Sequence, residues 1–234
     1  MWSEDHLLPI QTSLRLMVCF TSHMRYSDAQ ANSYRPGSTV SIATVAAWYE
    51  RCRELVVERH LGLQTTRGLL GGPGRVVQID EAKFGRRKYH RGRLVEGHWL
   101  LGMIEDGSND FRLEICPNNE RTSEALIPLI TKRVAPGTLI RSDQWRVYSC
   151  LSQMGSRHEK VNHSREFITP EGIHTKPIEA IRRPMGQFFC GRTIPDSNFA
   201  DHVVEYQWRR YCRVMRVDPF EDLLTGIKAA YPLP

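Results

Sequence analysis

Three acidic residues far apart in the chain, Asp80, Asp143 and Glu179, stand where carboxylates can do chemistry. Asp80 ends the apolar run Val76-Val77-Gln78-Ile79, and Asp143 ends the run that begins at Thr138-Leu139-Ile140. Glu179 falls in the first turn of a helix expected from Pro177, because proline suits a first helical turn where its missing N–H costs nothing. Taken singly, an aspartate at a strand end is more often a turn or cap residue than a ligand. Three carboxylates gathered in one place would repel one another unless cations lay between them. Two divalent ions ~3.5–4 Å apart would fill such a cradle, activating an oxygen nucleophile and neutralising a leaving oxygen. Hard oxygen donors suit Mg²⁺ (or Mn²⁺). The chemistry expected of the set is phosphodiester cleavage.

The charge pattern agrees with an anionic polymer as partner. Lysine and arginine number 32 against 26 acidic residues, a net charge of +6. Between Arg75 and His98 the bases Arg75, Lys83, Arg86, Arg87, Lys88, Arg91 and Arg93 face only Asp80, Glu81 and Glu96. Such a run binds a nucleic-acid backbone by displacing condensed counterions, so Lys83, Arg86, Arg87, Lys88, Arg91 and Arg93 are candidate DNA contacts. The 41% hydrophobic content supports a real core, and no apolar run reaches the ~20 residues that span a bilayer. No secretory leader is expected, because Glu4, Asp5, His6 and Pro9 precede the first apolar stretch. The six cysteines form no CxxC pair and are spread along the chain, which suits reduced, mostly buried thiols.

The elements that must position the acids follow from periodicity. Residues 1–67 read as helical: an apolar patch at Leu14, Leu16, Met17 and Phe20, a short helix over 26–31, a turn, then a long helix carrying Val45, Trp48, Tyr49, Cys52, Leu55 and Val56. That succession is like a helix-turn-helix unit, and a small helical cap would read the same way. Gly68-Leu69-Leu70-Gly71-Gly72-Pro73-Gly74 reads as a loop or linker. Residues 75–234 form the second expected domain. Strands are expected at 76–79, 98–104 and 111–115, the last with a wet face at Arg112 and Glu114. A helix over 122–134, a strand into Asp143, a helical face at Trp145, Tyr148 and Leu151, a short strand at 159–161 and three further helices complete the order. Three antiparallel strands, helix, strand, helix, strand and helices is the order of an α/β, ribonuclease H-like mixed sheet flanked by helices. In that fold the first and fourth strands are neighbours, so Asp80 and Asp143 are expected side by side with Glu179 delivered from the flank.

Several blocks also resemble a known family. Ile79 to Arg93, with Asp80-Glu81-Ala82-Lys83-Phe84-Gly85 at its head, is similar to the first-aspartate block of Merlin-type DNA transposases and their bacterial insertion-sequence relatives. Pro136-Gly137-Thr138 through Ser142-Asp143-Gln144-Trp145 with Tyr148 resembles the second block. Val161-Asn162-His163-Ser164, Phe167, Pro170, His174-Thr175 and Ile178-Glu179 resemble the third. Tyr206 to Arg210 and Tyr231-Pro232 resemble the family's C-terminal end. The resemblance covers about residues 75–234, with a weaker match at 45–54.

It implies a DDE transposase with Asp80, Asp143 and Glu179 as ligands of Mg²⁺ or Mn²⁺. Its reaction would be metal-assisted hydrolysis at a transposon end, then attack of the freed 3′-hydroxyl on target DNA. It further implies double-stranded DNA as partner, a homo-oligomer at work, and no membrane. The compartment would be the nucleus in a eukaryote and the cytoplasm or nucleoid in a bacterium. His163 and His174 match family positions and are candidates for orienting ligands or contacting phosphate. Three features depart from the family. Arg182 stands where it has tryptophan, Lys176-Pro177 replaces a polar pair before the glutamate, and Pro184 enters a helix that continues in relatives. The cysteine-rich zinc-binding segment found at the start of many relatives is missing as well. These departures favour a second reading, a transposase-derived DNA-binding protein with weak or no catalysis.

Overall fold

The computed structural model describes residues 8–34, 39–84, 97–108, 110–143, 148, 151, 157–161, 176–190 and 194–232; for Asp143, Lys160, Val161 and Lys176 it describes the backbone. The chain divides into two compact units, one of residues 67–207 and one of residues 1–66 with 208–234.

The larger unit is built on a five-stranded sheet of β1 (Val76–Phe84), β2 (His98–Glu105), β3 (Phe111–Ile115), β4 (Leu139–Asp143) and β5 (Arg157–Val161), in the order β3-β2-β1-β4-β5. Strands β1, β2 and β3 are antiparallel neighbours, whereas β4 runs parallel to β1 and β5 parallel to β4. The short connection from Glu105 to Phe111 can only reverse the chain between β2 and β3, whereas the helix Ser123–Arg133 lies on the crossover that returns it from β3 to β4 in the same direction. This order and these directions are those of the ribonuclease H-like fold.

Alternation along β1 sorts the two faces. Val77 and Ile79 join Leu101, Met103, Leu126, Ile130 and Ile140 in the core under α4 (Ser123–Arg133). On the other face Phe84, Leu100, Phe111 and Leu113 pack against α5 (Lys176–Phe189) through Ile178, Ile181, Met185, Phe188 and Phe189.

Several local expectations change. Strand β1 does not stop at Asp80 but continues to Phe84, because Asp80 to Phe84 are paired with Gly102 to His98 on β2. Arg112, expected on a wet face, is only 2% exposed. Burial pulls its pKa down, and the Asp110 carboxylate paired with its guanidinium opposes that shift only in part. Helix α5 runs five residues past Pro184, because the apolar side chains beyond the proline fill the core and offset the lost backbone bond. The glycine-rich segment 68–74 is no free connector. Leu70 is buried and bridges to Val134, while the Gly71 and Gly72 N–H groups donate to Glu105 and to Thr138 Oγ1, each at 2.8 Å. A Cβ at Gly71, whose φ is +79°, would lie 2.5 Å from Thr138 Oγ1, so only glycine fits this dock.

The smaller unit is helical: α1 (Ile10–Thr21), α2 (Tyr26–Asn32), most of α3 (Ile42–Arg67), the part of α6 (Asp196–Met215) from Trp208 onward, and α7 (Pro219–Ala230). Its core gathers Leu16, Phe20, Trp48, Tyr49, Cys52, Trp208 and Leu223. Arg209 donates to the carbonyls of Phe20 and Thr21 at the end of α1, satisfying acceptors a helix C-terminus leaves open. Asp222 ties α7 inward. It accepts from Trp208 Nε1 at 2.8 Å and from Arg59 Nε and Nη2 at 2.8 and 2.7 Å. No helix among the described residues is long and apolar enough to cross a membrane.

The thiols bear out the reading of mostly buried cysteines. Cys19, Cys52, Cys116 and Cys212 are buried and Cys190 is exposed. Burial pushes the Cys116 and Cys212 thiols up to about 12, with the charges of Glu81 and Asp222 adding to the effect. Since the thiolate is the nucleophile, iodoacetamide at pH 8 should label Cys190 in the native protein and reach Cys116 and Cys212 only after denaturation. Peptide mass spectrometry reads this directly, and fast native labelling of Cys116 would mean that the core does not close over it.

Candidate functional site

The three acids are carried by two adjacent strands and one helix. Strands β1 and β4 pair with Val76 opposite Leu139, Val77 opposite Ile140 and Gln78 opposite Arg141. The same offset carried two residues further sets Asp143, the last residue of β4, level with Asp80 and on the same face. That face is the one α5 covers, and Glu179 lies in the first turn of α5.

Two contacts fix α5 in place. Gly102, the β2 partner of Asp80, has no side chain, and a Cβ there would stand 3.2 Å from Ile178 Cδ1; the helix seats closely over the sheet because of it. Gln78 does the rest. It is fully buried, two residues before Asp80 on the same face. Its Oε1 accepts the Ile178 N–H at 3.3 Å, one of the donors a helix start leaves without an intrahelical partner. Its Nε2 donates to Asp106 Oδ1 at 2.6 Å. Asp106 also pairs with Arg141 at 3.3 Å, and Arg141 with Glu159 at 2.9 Å. A polar chain thus runs from β5 across the sheet to the residue beside Glu179. Gln78→Ala leaves the buried Ile178 N–H without its acceptor and takes one donor from the half-buried Asp106, which should cost about 1–3 kcal/mol. Urea unfolding measures that loss, and an unchanged midpoint would remove Gln78 from this role.

One turn after Glu179, Arg182 reaches across to β1. Its guanidinium is ion-paired with Asp80 and donates to the Glu81 carbonyl at 3.0 Å. Residues three apart on a helix share a side, so this contact turns the side of α5 that carries Glu179 toward the Asp80 end of the sheet. The side chain of Asp80 is 12% exposed and that of Arg182 50%.

This frame, with an aspartate on each of two neighbouring parallel strands and a glutamate on the covering helix, is matched by sequence: residues 69–189 fit the ISXO2-like transposase domain. The chain belongs to that transposase family. The matched stretch holds Asp80, Asp143 and Glu179. No curated protein matches the chain. Among solved structures it is similar to the HTLV-2 integrase catalytic core domain in complex with magnesium (15% identity over 61% of this chain and 86% of that one, TM-score 0.34). It is also similar to the catalytic core domain of BIV integrase (12% identity over 67% and 97%, TM-score 0.37). Likenesses this distant add nothing to the strand order, which assigns the fold of the transposase domain by itself.

The remaining candidates of the transposase domain divide. Lys83 is on β1 but an odd number of residues from Asp80, so it lies on the opposite face. There its ammonium sits 5.8 Å from the Trp99 ring centre, and Arg121 covers the same ring at 4.3 Å. Lys83 is therefore not brought to the acids. Arg86, Arg87, Lys88, Arg91, Arg93, His163 and His174 lie outside the described residues. Among the described side chains, which do not include that of Asp143, no three of His, Cys, Asp or Glu form a group that could hold a metal. As donors, three carboxylates are hard oxygen ligands of the kind Mg²⁺ and Mn²⁺ take, so the residue set fits such ions provided that Arg182 releases Asp80. Gln78 escaped the sequence reading. A glutamine inside an otherwise apolar strand, two residues before the aspartate and so on its face, was the available signal.

Proposed function

We propose that this transposase-family chain is a metal-dependent DNA recombinase that cuts at transposon ends and joins them to target DNA. The observation that carries the reading is the strand register that sets Asp143 level with Asp80, on the same sheet face as α5, whose first turn bears Glu179. Asp80, Asp143 and Glu179 would hold two divalent ions, Mg²⁺ or Mn²⁺. When bound, these supply activation of the attacking oxygen and neutralisation of the leaving oxygen. Gln78 holds the start of α5, the turn that bears Glu179, against β1. The basic residues between Arg86 and Arg93 would bind the DNA backbone, with His163 and His174 as supporting contacts. In the first reaction water attacks the phosphorus, and the bond to the 3′-oxygen breaks with a proton taken up by that oxygen. In the second, the new 3′-hydroxyl attacks a target phosphodiester, losing its proton and forming a new phosphodiester as the target's own P–O3′ bond breaks and that 3′-oxygen leaves as a protonated hydroxyl. The DNA is double-stranded, and a homo-oligomer that brings two ends together is the working form. Kinship to Merlin-type elements rests on the three sequence blocks around the acids.

Full-length protein should cleave and join terminal-repeat DNA in Mg²⁺ or Mn²⁺ and do neither in EDTA. Metal-independent binding without any cleavage would instead support the second reading, a DNA-binding protein of transposase descent. The ion pair of Arg182 with Asp80 is the specific observation on that side, since it places a fixed positive charge on a proposed metal ligand. In either case affinity for DNA should fall steeply with salt if phosphate contacts dominate.

A further inference from the structure

The carboxylate of Asp80 already has a cation. Arg182 is ion-paired with it and is held from a second side by the Glu81 carbonyl at 3.0 Å. Acids set close together in a metal-free protein repel, and Arg182 removes part of that repulsion. Yet Arg182 is not part of the packed interior: its side chain is half exposed, while Ile178, Ile181 and Met185 of the same helix carry the packing. It can swing into solvent without opening the core.

We propose that Arg182 is a tethered placeholder, seated on Asp80 when no metal is present and displaced from it when a divalent ion binds. The proposal rests on Asp80 being a metal ligand. A ligand that binds only the arm-out form has its apparent affinity lowered by the fraction of molecules in that form. If the arm is out in about one molecule in ten, metal binding is weakened roughly tenfold. The arrangement makes the acidic site stable without metal and ties its loading to the ambient concentration of divalent ion.

The test is Mn²⁺ titration of the full chain, with free Mn²⁺ followed by electron paramagnetic resonance, for wild type, Arg182→Gln, Arg182→Lys and Asp80→Asn. Arg182→Gln should bind Mn²⁺ roughly tenfold more tightly than wild type. Arg182→Lys, which keeps a charge on a shorter arm, should fall between, and it stands in if the glutamine variant does not fold. Saturating Mn²⁺ should also raise the melting temperature of Arg182→Gln more than that of wild type, by mass action on the folded state. If Asp80→Asn weakens Mn²⁺ binding while both Arg182 variants bind as wild type does, the placeholder is overturned and the metal site stands. If no variant, wild type included, binds Mn²⁺, the metal-site reading falls and the placeholder with it.

Discussion

Asp80→Asn should lower Mg²⁺-dependent strand cleavage by about 10³-fold or more, while leaving the fold and DNA binding in place. The amide keeps the shape of the carboxylate and removes its charge, and a metal-assisted step relies on several kcal/mol of charge stabilisation, each ~1.4 kcal/mol being tenfold in rate. The same change frees Arg182 from its partner. That pair is half open to water on the arginine side, so its loss should cost no more than about 1 kcal/mol of stability. The two readouts therefore separate: single-turnover cleavage should collapse while the urea midpoint barely moves. Cleavage at the wild-type rate would take Asp80 out of the site. A large drop in stability with no selective loss of cleavage would make it a structural residue.

The largest effect on stability should come from the smaller unit, at Asp222. Its side chain is 3% exposed and joins Trp208, which is fully buried, to Arg59. Asp222→Ala strands the indole N–H in the interior and leaves the guanidinium without its carboxylate. Breaking a buried pair from one side costs about 3–5 kcal/mol, and the partial exposure of Arg59 places this case toward the lower end. Chain segments 1–66 and 208–234 should lose hydrogen-exchange protection first, since they form one compact unit with their own core. Protection lost equally throughout residues 67–207 would mean that the two units unfold together. An unchanged midpoint would mean that the network contributes nothing.

What could be read in advance follows physical range. Strand positions came from alternation and turn residues, both local, whereas the neighbouring placement of Asp80 and Asp143 came only from matching the element order to the ribonuclease H-like fold. The length of β1 came from neither, because Ala82-Lys83-Phe84 looks like the start of a loop until β2 is there to pair with it. Pro184 reads locally as a break, whereas the burial of Met185, Phe188 and Phe189 beyond it decides the outcome. Arg112 reads as a surface residue until Asp110 is placed beside it. The apolar stripe of α7 announces burial but names no partner, so its grouping with residues 1–66 was out of reach. In the site, residue types were legible and long-range bonds were not: the contacts from Gln78 to Ile178 and from Arg182 to Asp80 cross about a hundred positions.

Phe84 and His98 are direct partners at the last rung of the β1–β2 ladder. The stretch that holds most of the basic run is thereby spliced into the sheet at two adjoining points, both beyond the last rung. The DNA contacts proposed for residues 86–93 can thus be altered in sequence without disturbing the strand that bears Asp80.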